Sequence, residues 1–190
     1  GEASLRVLSE ARWDWNGRND SFTLKPFARV DSQDAERSHV DLREAFWLHV
    51  QNQWQIKAGI GQVFWGVTEG AHLVDIVNQT DTLENPEGDA RLGQPMLNVS
   101  WEQDAHLLDV FVLSGFREWP FAGMNGRLRL PWRVNSDAAI YESGAAKSHV
   151  DVAARYQFNH SGLRLGLSAF QGTAREPELQ SVVDLTQVGS

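Results

Sequence analysis

The chain has 190 residues, eight tryptophans, no cysteine and a formal net charge of −8. The acidity argues against a nucleic-acid partner, and the missing cysteines remove disulfide frameworks and thiolate metal sites. No apolar run approaches the ~20 residues that a membrane-spanning helix needs.

The first predicted strand runs from about Ser4 to Trp15. Leu5, Val7, Ala11, Trp13 and Trp15 share one face, and Arg6, Glu10, Arg12 and Asp14 the other, because successive strand side chains point to opposite sides. Asn16-Gly17-Arg18-Asn19-Asp20 has the residue types that tolerate a tight turn. The return strand sets Phe22, Leu24, Ala28 and Val30 against Thr23, Lys25 and Arg29, and a polar connection spans residues 32–38. The third strand, Val40 to Val50, sets Val40, Leu42, Phe46, Leu48 and Val50 against Asp41, Arg43, Trp47 and His49. After a turn at Asn52-Gln53, the fourth places Trp54, Ile56, Ala58, Ile60 and Phe64 opposite Gln55, Lys57, Gly59 and Gly61.

A long segment, about 66–91, precedes the fifth strand, which ends Leu97-Asn98-Val99-Ser100-Trp101-Glu102 and turns at Gln103-Asp104. The sixth carries Leu108, Val110, Val112 and Phe116 opposite Asp109 and Arg117, and a second long segment covers about 118–148. In the seventh, Val150 to Phe158, Asp151, Arg155 and Gln157 alternate with apolar residues. Asn159-His160-Ser161-Gly162 turns into the eighth, with Leu163, Leu165 and Leu167 against Arg164, Gly166 and Ser168.

Eight such strands, joined alternately by tight turns and by longer connections, predict an all-β, antiparallel up-and-down transmembrane barrel, with lipid on the apolar face and a polar lumen on the other. Strands near ten residues suit a tilted crossing of the bilayer. Trp15, Phe22, Trp54, Trp101, Tyr156 and Phe158 fall beside the tight turns, while Phe64, Phe116 and Trp119 fall toward the long loops, which predicts two aromatic girdles. Glu44, Gln62 and Pro26 land on the nominal lipid face, with Glu44 the most awkward. A soluble antiparallel sandwich also alternates. The tryptophans would then serve as sugar-stacking platforms.

If the tight turns are periplasmic, both ends of the eight-strand set lie outside. Bacterial barrels ordinarily begin and end in the periplasm. The expectation is therefore residues 1–190 as one partial barrel domain, about eight or nine strands of a larger barrel, with Ser181-Val182-Val183-Asp184-Leu185-Thr186 beginning another strand.

The segments Val63-Phe64-Trp65-Gly66-Val67-Thr68-Glu69, His72-Leu73-Val74-Asp75-Ile76-Val77-Asn78-Gln79-Thr80-Asp81, Leu92-Gly93-Gln94-Pro95-Met96, Gly126-Arg127-Leu128-Arg129, Tyr141-Glu142-Ser143 and Gly172-Thr173-Ala174-Arg175-Glu176-Pro177 stand out from the strand pattern. Together they resemble a group of uncharacterised porin-like outer-membrane proteins of Gram-negative bacteria. The resemblance implies an envelope β-barrel and brings no substrate and no catalytic residues.

No zinc-spaced histidine pair, nucleophile elbow or phosphate loop is found, so no enzyme and no cofactor are expected. His72 and Asp75 could meet on one helical turn, but a structural loop role is the better reading. Asp81, Glu84, Glu87 and Asp89 around Gly88 offer carboxylates for a divalent cation but lack EF-hand spacing, so a solvated acidic loop is expected. The run Leu73-Val74-Asp75-Ile76-Val77 is too apolar for a free loop and is expected to fold inward and constrict the pore. Arg127 and Arg129 are candidate anion contacts at the mouth.

The predicted pore lining is Arg6, Glu10, Arg12, Lys25, Arg29, Asp41, Arg43, Lys57, Asp109, Arg117, Asp151, Arg155 and Arg164, a slightly basic wall that also takes in Asp14, Asp31 and Glu102. The expected function is passive diffusion of small polar or anionic solutes across a bacterial outer membrane, with lipid and solute as the partners. The alternatives are a non-conducting structural or docking barrel and the glycan-binding sandwich.

Overall fold

The computed structural model describes residues 3–63, 77–84, 90–123, 125–126, 130–132, 134–141 and 144–180. Among the described residues nine strands are formed: β1 (Ser4–Leu8), β2 (Ala11–Trp15), β3 (Asp20–Asp31), β4 (His39–Gln51), β5 (Trp54–Gly61), β6 (Gln94–Gln103), β7 (His106–Leu113), β8 (Asp151–His160) and β9 (Leu163–Gln171). They build one antiparallel up-and-down sheet in the order β1-β3-β4-β5-β6-β7-β8-β9, with β2 also on β3. The sheet is open, its edges being β1–β2 on one side and β9 on the other.

β1 and β2 are two halves of the first predicted strand. Both hold the same register against β3, Leu8 facing Phe27 and Ala11 facing Leu24. The interruption falls at Pro26, whose carbonyl accepts from the Ser9 amide at 3.4 Å but which has no N–H to return. Beside the same proline the β3–β4 register shifts: Lys25 faces Glu44, Pro26 faces Leu42, and Arg43 is the extra, bulged residue.

The bulge corrects the predicted faces of the third strand. A single inserted residue reverses every side chain beyond it. Ala45, Trp47 and His49 therefore join the apolar face, while Glu44, Phe46, Leu48 and Val50 turn to the polar one. Glu44, the misfit of the alternation pattern, thus leaves the apolar side.

The registers align one face across all nine strands. Leu5, Val30 and Val40 belong to it, as do Ile56, Val99, Val110 and Ala154, and Tyr156 and Leu167. Among its strand positions Asp20 is the single charged residue, and it sits at the turn end. There its carboxylate accepts from Asn16 Nδ2 at 2.7 Å and Trp47 Nε1 at 3.0 Å, and meets His49 Nδ1 at 2.8 Å.

Burial is inverted relative to a water-soluble sheet. Apolar-face residues are open, with Leu5 66% exposed, Val40 82% and Leu167 71%. Polar-face Gln94, Asn98 and Ser100 are buried beside Met96 on the same strand. The small apolar core (Val77, Met96, Phe111, Leu113 and Ala153) lies on the polar side, under the connections that follow β5 and β7. Among the described residues no second sheet covers the apolar face.

Glycine is required at one position where β5 passes against β4. Gly59 adopts φ +131°, and a Cβ there would stand 2.3 Å from the Ala45 carbonyl oxygen and 2.8 Å from the Phe46 Cα.

Candidate functional site: the polar face and its loop layer

The polar face has two halves. Toward the long connections it is roofed by loops; toward the tight turns it is more open. Segment 77–84 folds back across the wall; of the run expected to fold inward only Val77 is described, residues 73–76 lying outside the described set. Val77 enters the apolar core. The Asn78 side chain donates to the carbonyls of Gly61 (2.8 Å) and Leu92 (2.9 Å) and accepts from the Val63 amide (2.7 Å). The Asp81 amide donates to Ala90, and the Leu92 amide to Gln79, both at 2.8 Å.

Charge ties this segment to the wall. Asp81, fully buried, pairs with Arg43, whose Nη1 also lies 3.0 Å from Asp41. The other oxygen of Asp41 holds Arg117 at 2.9 Å. Glu84 lies 2.9 Å from Arg29 and 3.7 Å from Arg6. Phe27, 2% exposed, fills the gap between the arginines, with the Arg43 guanidinium 4.2 Å and that of Arg6 5.5 Å from its ring centre. Of the acidic run, Asp81 and Glu84 are not solvated but are the counter-charges of three wall arginines; Glu87 and Asp89 lie outside the described residues. Among the described residues no group of three or more His, Asp or Glu side chains could hold a metal ion.

A second layer closes over the first. Trp119 Nε1 donates to Gln79 Oε1 at 2.6 Å, and the Thr82 hydroxyl donates to the Pro120 carbonyl. The Gly123 amide donates to the buried Asp34 carboxylate at 3.2 Å. Near the start of that connection Glu118 accepts from the Tyr141 hydroxyl and, at 2.8 Å, from Lys147, both toward its far end. Burial works against the Glu118 charge, but the bonds from Lys147 and Tyr141 prevail and hold its carboxyl below the usual range. Burial, reinforced by that bond to a carboxylate, pushes the Tyr141 hydroxyl up to about 12. Asp151 anchors the residues after β9, lying 2.7 Å from His149 Nδ1, 3.1 Å from the Thr173 amide and 3.0 Å from Arg175.

In the open half the pairs are local. Arg12 meets Asp14 at 2.9 Å, Lys25 meets Glu10 at 3.5 Å, and Lys57 lies 4.0 Å from the centre of the Phe46 ring. Asp109 accepts from Ser100 and faces Arg155 in register. Arg164 is exposed on β9. With Glu44 turned to this face and Asp81 and Glu84 laid against it, the predicted basic excess of the wall is neutralised.

The turn-end rim of the apolar face holds Trp15, Phe22, Trp54, Trp101, Tyr156 and Phe158, joined by Trp13, Trp47 and His106. Phe116 and Trp119 do not form the expected second girdle. Phe116 stands edge-on to Tyr141 and 5.4 Å from the Arg175 guanidinium, and Trp119 is bonded into the loop layer. Phe64, His72, Asp75, Arg127 and Arg129 lie outside the described residues.

Pattern reading missed Glu84, Asp34, Arg175 and Phe27 as organisers of this face. Phe27 left a signal, being the aromatic that breaks the polar side of β3. The architecture defines a class, an inverted antiparallel sheet whose charged face is roofed by its own loops. Compared with known proteins, the chain matches no family, no curated protein and no solved structure.

Proposed function

We propose that the chain is part of the wall of a bacterial outer-membrane β-barrel that passes small polar or anionic solutes by passive diffusion along its polar face. The inversion of burial carries this reading. An exposed apolar face across nine strands, charged only at turn-end Asp20, is costly in water and favourable against lipid, while ionic and amide side chains are gathered on the opposite side. The aromatic rim at the tight turns fits a headgroup boundary. In this orientation the tight turns are periplasmic and the long connections external.

Closing such a wall takes further strands at the β1–β2 and β9 edges. An eight-strand barrel is filled by its own side chains, which leaves no room for the loop layer already lying on this face. The compensated charges of the wall favour polar solutes, with at most a weak preference for anions.

A non-conducting barrel is the second reading, favoured by the pairing of Arg6, Arg29 and Arg43 with loop acids. A glycan-binding sandwich would need a second sheet over the apolar face.

The deciding experiment folds the protein in detergent, checks for a band on a cold SDS gel that slows only after boiling, and records current in planar bilayers. Heat-modifiable migration with stepwise conductance supports the channel. A heat-modifiable protein without current favours the closed barrel. A protein that stays soluble and monodisperse without detergent refutes both.

A further inference from the structure

We propose that segment 77–84 is a strap locked across the polar face by two carboxylates, Asp81 and Glu84, and that neutralising them releases the strap without unfolding the wall. The attachment is built unevenly. Neutral contacts hold part of it: Val77 in the apolar core, Asn78 on the Gly61 and Leu92 carbonyls, and the Thr82 bond to Pro120. At Asp81 and Glu84, on either side of Thr82, the charged contacts go to three different strands, Arg6 on β1, Arg29 on β3 and Arg43 on β4. The strap thus bridges wall strands that already have their own backbone ladders. Removing its charges takes nothing from those ladders.

Asp81 meets Arg43 and accepts from the amides of Leu83 and Glu84; Arg43 is shared with Asp41, which holds Arg117. Glu84 meets Arg29 and Arg6. A buried guanidinium that loses its carboxylate draws in water and favours opening, because an uncompensated charge in a closed site is strongly unfavourable. Among these residues Arg6 is already about half open to solvent, which gives water a route in.

The release does not depend on the channel reading; its consequence for passage does. The test compares the wild type with the D81N/E84Q variant, both folded in detergent, by amide hydrogen exchange and by trypsin cleavage after Arg91. Exchange of the Asp81 and Leu92 amides, and cleavage after Arg91, are expected to accelerate at least tenfold while β5–β8 keep their protection. Unchanged exchange and cleavage overturn the strap. Loss of protection throughout the strands also overturns it, since the two acids would then hold the whole wall. If the double variant does not fold, E84Q alone, which keeps Asp81 on Arg43, is expected to show at least a threefold acceleration, and an unchanged rate overturns the strap. Bilayer recordings separate the two readings. A conductance that rises at least twofold in the variant supports a strap that narrows the passage. Release of the strap in a protein that passes no current supports the strap and refutes the channel.

Discussion

Val110 tests the assignment of the apolar face to lipid. It lies on β7 in a row with Val99 and Ala154, 39% exposed, four residues from the turn-end start of the strand at His106. At about 3.4 Å per residue, that is roughly 14 Å along the strand, or about 10 Å of depth for a strand tilted near 45°. This is close to the middle of an apolar band ~25 Å tall. Val110→Lys would then place an ammonium near the bilayer midplane and destabilise the folded state by about 2–4 kcal/mol. The same change on a water-exposed strand face stays within roughly 0.5 kcal/mol. Trp54→Lys, on the turn-end rim, is the depth control and is expected to cost about 0–1 kcal/mol for the charge itself. Urea-dependent unfolding in lipid vesicles, followed by cold-gel mobility and tryptophan emission, measures both. A Val110→Lys variant whose urea midpoint equals that of the wild type would show that water, not lipid, meets this face.

Three further outcomes are expected. Gly59→Ala must place a methyl group 2.3 Å from the Ala45 carbonyl oxygen at a φ of +131°, so it should lower stability by at least roughly 1–3 kcal/mol in the same urea assay, whereas Gly166→Ala, with open space around its Cβ, should leave the midpoint in place. The Glu118–Tyr141–Lys147 clamp is pH-bounded: the lowered Glu118 contribution is complete above the ordinary carboxylate range and is lost as pH falls through the native pKa, and the raised Tyr141 contribution is lost as pH rises from about 10 to about 12. In a Tyr156→Phe background Tyr141 is the chain's only tyrosine, so its ionisation can be read directly by ultraviolet absorbance; a midpoint near 10 would contradict the clamp. Replacing Lys57 and Arg155 together by Glu should move the reversal potential in a salt gradient toward cation preference, and an unmoved potential would remove both residues from the ion path. Arg43 is unsuitable for that purpose, because a glutamate there would stand against two acids, Asp81 and Asp41.

The strand plan was legible because a strand's side-chain period is two, and a sheet with one apolar and one charged face writes that period directly into residue type. β3, β5, β7 and β9 could be assigned to faces from alternation alone, and the turns from Asn16-Gly17, Asn52 and Ser161-Gly162. β4 could not. Its apolar residues Val40, Leu42, Phe46, Leu48 and Val50 keep a single phase in the sequence, and the bulge at Arg43 turns the second half of that phase to the opposite face. Only pairing with β3, where Pro26 cannot return a hydrogen bond to Ser9, shows which residue is the extra one.

The loop layer was less legible. Asp81 and Glu84 look like a solvated acidic loop because nothing local reports that Arg6, Arg29 and Arg43 approach them from strands more than thirty residues away. Phe116 and Trp119 follow the same logic: their positions beyond a strand end suit a girdle, and their partners in the fold place them over the polar face. Short-range periodicity therefore determined the all-β class, the antiparallel order and the unlike faces. The bulge phase, the open edges and the neutralisation of wall arginines by a returning strap were decided by tertiary structure, because each depends on which distant backbone or charge arrives at a given strand.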